Sequence, residues 1–280
     1  MKKVCIVILN YKKYQDTIEC LESIYNSIYD NYNVVVCDNN SPNESEKVIL
    51  NWKEKNKDKP FKYIQTKSNL GFAGGNNIGI RYALSQGADY IWLLNNDTVI
   101  EEYTLYNLVK KIESNDSIGV CGSRLLYYHD KKTVQGLAGK YNKFTGIASH
   151  IIKEKDLCRL SYIIGASMLI KKEVILDIGL LSEDYFLYYE ELDFAERLKN
   201  KYKMDIALDS VVFHKEGSSI VSGSEFSFYY LFKNSLVFTK KYYKLLYPSV
   251  LFFVILRIIC PWKKRKYNKF KMLCKVLRTI

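Results

Sequence analysis

Short, wholly apolar runs alternate along most of this chain with segments whose apolar residues recur every three or four positions. Residues 4–9, 33–38, 61–66, 90–94, 118–122 and 165–170 read as buried strands, and residues 204–208 and 211–214 return to β. Between them the pattern predicts helices. One runs from about Asp16 with Ile18, Leu21, Ile24, Tyr25 and Ile28 on one face; others start at Ser41 or cover residues 76–86, 100–114 and 190–200. Asp16 followed by Glu19, and Ser41 followed by Pro42 and Glu44, carry helix-start chemistry, while Gly87 is a stop. Strands alternating with helices of this length predict βαβ units and a mainly parallel sheet. Residues 123–161 break the alternation and are expected to be irregular with short strands. No internal repeat interrupts the pattern, so residues 1–224 are expected to form one α/β domain.

From residue 225 onward the pattern turns aromatic, aliphatic and basic. The run LLYPSVLFFVILRIIC at 245–260 is apolar apart from Ser249 and Arg257, and PWKKRKYNKFK follows it. A span of the bilayer needs about 20 apolar residues, so this run, with Pro248 and Arg257 inside it, is short for one. An in-plane helix at a membrane interface with a polybasic flank fits better than a helix buried on the domain. Charge reinforces the division. All 30 acidic residues lie at or before Glu225, whereas 13 of the 42 basic residues follow it. The first 225 residues therefore carry −1 and the last 55 carry +13. A nearly neutral body argues against a protein that wraps nucleic acid, and a basic tail suits an anionic headgroup layer. The seven cysteines show no metal-ligand spacing and read as buried free thiols of a reducing compartment. The start MKKVCIVILNYKK imitates a signal peptide, but its apolar run is shorter than such a leader requires.

Candidate chemistry gathers at the predicted strand ends. Asp97, in LLNNDT, follows the fourth strand, where an acid can hold a cation against a phosphorylated ligand or simply form a turn. Asp38, in CDNNS, can accept from a pyrimidine edge or a ribose hydroxyl, or cap a turn. NLGFAGGNNIG, residues 69–79, lets backbone approach a phosphate or sugar, yet it is neither a dinucleotide fingerprint nor a P-loop. In FLYYEELDFAER the aromatic residues before Glu190 and Glu191 can raise the pKa of one carboxylate toward the value a general base needs. His214, one of three histidines, ends a strand where it can be structural or ligate a divalent cation.

The set CDNNS, NLGFAGGNN, LLNNDT, GASMLI, YYEELDFAERL and HKEGSS, in this order over residues 3–220, resembles family 2 of the inverting glycosyltransferases, in particular its rhamnosyltransferase-like branch. The resemblance implies a GT-A fold, an α/β architecture with a mainly parallel, Rossmann-like mixed sheet flanked by helices. It also implies a UDP- or dTDP-sugar donor and Mg²⁺ or Mn²⁺. Donor binding would fall to Asn10, Asp38, Asn69, Gly71, Phe72, Asn76, Asn77, Asn95 and Asn96. Asp97 and His214 would hold the metal, Asn95 standing where many relatives carry a further Asp. The base would be Glu191, with Glu190 as its rival. The expectation is transfer of rhamnose or another hexose to a glycan or polyprenyl-diphosphate-linked acceptor in bacterial surface polysaccharide biosynthesis, by a cytoplasmic enzyme peripheral on the inner face of the cell membrane. Two other readings compete. A sugar nucleotidyltransferase would carry a glycine-rich basic loop after the first strand, where this chain has NYKKYQD; a membrane-associated nucleotide-sugar-binding module would need no base.

Overall fold

The computed structural model describes residues 1–215, 224–260 and 268–278. The alternation of the sequence becomes β1 (Val4–Asn10), α1 (Tyr14–Ile24), β2 (Tyr32–Asp38), α2 (Ser45–Lys55), β3 (Lys62–Gln65), α3 (Gly71–Ser85), β4 (Tyr90–Asn95) and β5 (Thr98–Ile100). There follow α4 (Thr104–Glu113), β6 (Ile118–Tyr127), β7 (Val134–Gly136), β8 (Ala138–Asn142), β9 (Ile147–Ile151), β10 (Ser167–Lys171), α5 (Lys172–Ile178), α6 (Glu190–Leu198) and β11 (Lys203–His214). Three helices close the chain: α7 (Glu225–Tyr242), α8 (Tyr247–Ile259) and α9 (Lys269–Leu277).

The strands make a mixed sheet in the order β3-β2-β1-β4-β10-β6-β11-β5, with β7 on β6, and β8 and β9 form a separate ribbon. β1 pairs in parallel with both β2 and β4, and β10 runs antiparallel between β4 and β6. Both faces are covered. Ile6, Ile8 and Trp92 pack toward α1 and α4 on one side, while Val7, Ile91 and Leu93 pack toward α3 and α5 on the other. Burial on both faces is why β1 and β4 read as unbroken apolar runs. Parallel strands end together, so the carboxyl edge of β1, β2 and β4 collects Asn10, Asp38 and Asn95.

Helix starts depart from expectation. Asp16 and Glu19 do not cap α1; both carboxylates take Lys215 Nζ, at 2.6 and 2.5 Å. α2 begins at Ser45 rather than near Ser41, whose hydroxyl accepts from Lys12 N at 2.8 Å. The 69–79 segment is mostly helix: α3 starts at Gly71, and a Cβ on Gly79 would stand 2.2 Å from Val7 Cγ1. That glycine lets α3 lie close on β1, a packing role the sequence alone does not separate from ligand approach. The strand expected in two pieces at 204–214 is one, β11, with an irregularity between Ala207 and Val211.

At the C-terminus Phe232 and Leu236 of α7, Val250, Val254 and Ile258 of α8, and Met272 and Val276 of α9 form a small core of their own. The residues of α8 in it recur every four positions, one face of a helix. Its other face leaves Phe252, Leu256 and Ile259 exposed. No helix among the described residues is long and apolar enough to cross a membrane. The basic run at 261–267 and the 216–219 part of HKEGSS lie outside the described residues.

Candidate active site

A cleft of about 920 Å³ opens above the carboxyl edge of the sheet, between the loops after β1, β2 and β4 and the segment that leads into α6. β5 explains how its two ends meet. β5 pairs antiparallel with β11, setting Thr98 opposite His214, so residue 97 arrives beside a histidine more than a hundred positions away. His214 Nε2 stands 3.2 Å from Asp97 Oδ1. On the far side of the ring, Nδ1 lies 2.8 Å from Gln135 Oε1. An amide oxygen only accepts, so Nδ1 carries the proton and Nε2 is turned to the carboxylate.

A lone pair facing a carboxylate is stable when a proton or a cation lies between them. An Asp oxygen, a His nitrogen and an outer partner fixing the tautomer are a donor set that suits Mg²⁺ or Mn²⁺. Among the described residues no third His, Cys, Asp or Glu joins them. Such ions take one or two protein ligands and fill the remaining positions from water and phosphate oxygens, so the pair fits an ion held together with a phosphorylated ligand.

The acidic pair sits across the same cleft. Glu190 and Glu191 open α6, and both line the cavity. Glu190 is 2% exposed and its Oε2 has no hydrogen-bond partner among the described residues. Glu191 Oε1 accepts from Gly165 N at 3.2 Å. A Cβ on Gly165 would stand 2.6 Å from that oxygen, so glycine admits the carboxylate here. Burial pushes the Glu190 carboxyl well above the ordinary carboxylate range, and the charge of Glu191 adds to the shift. Burial likewise raises Glu191, against the lowering effect of its backbone N–H partners. Two adjacent carboxylates, one buried and one partly buried, that resist joint ionisation are suited to taking up one proton between them. The third acid of the motif, Asp193, is turned away: it takes Arg197 Nε at 2.8 Å, Lys241 Nζ at 2.6 Å and Tyr242 Oη at 2.9 Å.

The backbone leading into the pair is unusual. Tyr188 and Tyr189 both have left-handed φ, 66° and 76°. For a bulky residue each such conformation costs about 1–3 kcal/mol, and it persists only where the surroundings enforce it.

The remaining predicted residues divide. Asn69, Gly71, Phe72, Asn95 and Asn96 line the cleft beside Asp97 and His214. Asn10, Asp38, Asn76 and Asn77, also expected at the donor, are not among the residues that line it. Asp38 is fully buried, its oxygens taken by Asn10 Nδ2 at 2.5 Å and Ser41 N at 2.8 Å. Asn76 donates to Phe72 O, and Asn77 bonds both the carbonyl and the N–H of Leu181. In place of Asp38 the cleft meets its neighbour Asn39, together with Tyr11 and Lys12. Sequence reasoning passed over these three, and also Gln135; the signal for Asn39 was its place directly after the strand that ends at Asp38.

Residues 5–179 match the family model described as Glycosyl transferase family 2. The chain belongs to glycosyl transferase family 2. Within the family it is similar to the low-salt glycan biosynthesis hexosyltransferase Agl10 of Haloferax volcanii, 28% identical over 202 residues that make up 70% of this chain and 61% of that protein. It is also similar to the dTDP-rhamnosyl transferase RfbF of Shigella flexneri, 24% identical over 135 residues, 47% of this chain and 44% of the relative. The chain thus spans about half to three-fifths of the length of these two family 2 relatives. Among solved structures, the mannosyltransferase PcManGT from Pyrobaculum calidifontis, in complex with GDP-Man and Mn²⁺, superposes with a TM-score of 0.64 at 14% identity, over 99% of this chain and 74% of that one. The fold of this family 2 chain is therefore of the GT-A type, a mixed sheet flanked by helices.

Proposed function

We propose that this chain is an inverting, metal-dependent hexosyltransferase that uses a nucleotide-diphosphate sugar. The observation that carries the reading is the placement of two carboxylates of raised pKa, the buried Glu190 and the partly buried Glu191, in one cleft with the Asp97–His214 pair. The diphosphate would lie against Asp97 and His214, and the nucleoside along Tyr11, Lys12, Asn39 and Asn69. Asp38, Asn10 and Asn76 would act from behind, by fixing the backbone that lines this end, while Asn77 ties α3 to Leu181 away from it. Mg²⁺ or Mn²⁺ bound there would neutralise charge on the leaving diphosphate.

Glu191 takes the proton of an acceptor hydroxyl as that oxygen bonds to the anomeric carbon. The bond from carbon to the diphosphate oxygen breaks on the opposite face, and the electron pair leaves with the nucleoside diphosphate. One displacement needs one base and no enzyme nucleophile, and it inverts the anomeric centre. Glu190, the deeper of the two, holds its proton more tightly, which would leave Glu191 as the carboxylate that ionises and serves as base. The groups that touch substrate and metal would come from residues 1–224.

Two similar proteins support a sugar nucleotide in general: one solved neighbour holds GDP-Man, and one relative is a dTDP-rhamnosyl transferase. A UDP- or dTDP-activated rhamnose or other hexose is the donor we favour. Residues 225–280 would hold the enzyme against the cytoplasmic face of the membrane. In support, the exposed Phe252, Leu256, Ile259 and Phe270 lie among residues with 13 basic and no acidic side chains after Glu225. A glycan carried on a polyprenyl diphosphate at that surface would be the acceptor. The test is incubation with UDP-, dTDP- and GDP-hexoses, lipid-linked glycan and Mn²⁺ or Mg²⁺. The expected result is a glycoside of inverted anomeric configuration, lost on chelation. Metal-dependent binding of a sugar nucleotide without any transfer would instead make the chain a binding module.

A further inference from the structure

The closing helices touch the acidic pair at its most strained point. Asn234, in the middle of α7, is fully buried, and its side-chain amide donates to Leu187 O at 2.8 Å and to Tyr188 O at 3.0 Å. Those carbonyls belong to the turn in which Tyr188 and Tyr189 hold left-handed φ, and the next two residues are Glu190 and Glu191. The other amide atom, Asn234 Oδ1, has no partner among the described residues. An apolar helix therefore carries a buried amide whose two N–H groups are committed to one turn. Other contacts from α7 frame that turn. Tyr188 Oη lies 3.0 Å from Ser227 Oγ, Phe186 stacks on Tyr230 at 5.1 Å, and Lys241 and Tyr242 hold Asp193 on the first turns of α6.

We infer that Asn234 is a positioning residue for transfer: its clasp on the 187–188 carbonyls enforces the left-handed turn that aims Glu190 and Glu191 into the cleft. α7 is in that case part of the catalytic apparatus as well as the link to the tail. Two successive left-handed tyrosines do not persist unaided, because Cβ crowds the following carbonyl in that region. Both carbonyls tied by the clasp come directly before the residue whose φ must be held. Aspartate has the same shape but presents oxygen to carbonyl oxygens, so it cannot replace the amide while ionised.

The inference rests on Glu191 as the base, and the two can fail separately. Full transfer by Glu191→Gln overturns the base whatever Asn234 does; full transfer by a folded Asn234→Ala overturns the clasp whatever Glu191 does. The experiment uses the full chain with an active sugar nucleotide, and compares the parent with Asn234→Ala and Asn234→Asp. For both variants kcat is expected to fall about a hundredfold, as for a misplacement near 1 Å, with the donor KM changed less than about twofold. The acid limb of the kcat profile should move to lower pH as water reaches the carboxylates, which a merely structural loss would not do. If Asn234→Ala does not fold, the double variant Tyr188→Gly/Asn234→Ala decides. Glycine adopts left-handed φ without crowding, so folding and part of the transfer should return. A double variant no better than the single one, or a folded Asn234→Ala with parental kcat and pH profile, overturns the inference.

Discussion

The two ends of the cleft are built on opposite terms. Behind the loops after β1 and β2, polar side chains answer one another: Asp38 is met by Asn10 and Ser41, Asn39 by Asn69, Leu70 and the Gly71 carbonyl, Asn77 by Leu181. At the head of α6, a buried carboxylate oxygen of Glu190 has no partner among the described residues and two tyrosines are held in a disfavoured conformation. Satisfied networks hold a shape; unsatisfied and strained groups mark where a structure keeps something ready for a reaction. On this contrast we propose that Asn10, Asn76 and Asn77, conspicuous in the sequence as possible ligands, serve as framework. The acids, helix-start residues by type, are the unusual feature.

Two changes would break or sharpen this contrast. The larger effect belongs to Asn77→Ala, which strands the buried N–H and carbonyl of Leu181 and should cost about 1–3 kcal/mol in thermal or denaturant unfolding. Its kcat and donor KM should stay near the parent values. A raised donor KM at unchanged stability would return Asn77 to the ligand and dissolve the distinction.

The smaller effect belongs to Glu190→Gln. The carboxyl of Glu190 is raised above its ordinary value, so the folded state binds the proton more tightly than the unfolded chain. Stability is then lost as pH climbs from the ordinary carboxylate range through the raised value. Glutamine removes that loss. Melting temperature should match the parent below the ordinary carboxylate range and exceed it above the raised value, by about 2–4 °C per kcal/mol recovered. A variant less stable than the parent at neutral pH would mean that Glu190 is paired rather than stranded.

Much of the fold was legible because burial on both faces writes strands as unbroken apolar runs, as in IVIL and YIWLL, and because glycine and asparagine punctuate what lies between. Helix starts were read less well. Asp16, Glu19 and Ser41 are good cap residues by type, but tertiary partners, Lys215 and Lys12, claim them first. The site was legible as a set of residues and less so as an arrangement. Asp97, His214, Glu190 and Glu191 do meet in one cleft, whereas Asp38 points inward and Asn39 next to it faces the cavity. Successive residues at a strand end face opposite ways, and composition does not tell which of the two is turned to the ligand. Asn234 was harder still. It lies in the segment read as a tail, and only its place on the buried face of α7, in line with Ser227 and Leu231, hints that the helix packs on a polar target.

The claim at the centre of this account is that Glu191 receives the acceptor's proton. It is tested most directly by replacing Glu191 with glutamine and measuring transfer beside nucleotide- and metal-dependent thermal stabilisation in one preparation. Stabilisation should persist, because Asp97, His214 and the nucleoside end are untouched, while kcat falls by about 10²–10⁴. A Glu191→Gln enzyme that transfers sugar at the parental rate would contradict the assignment.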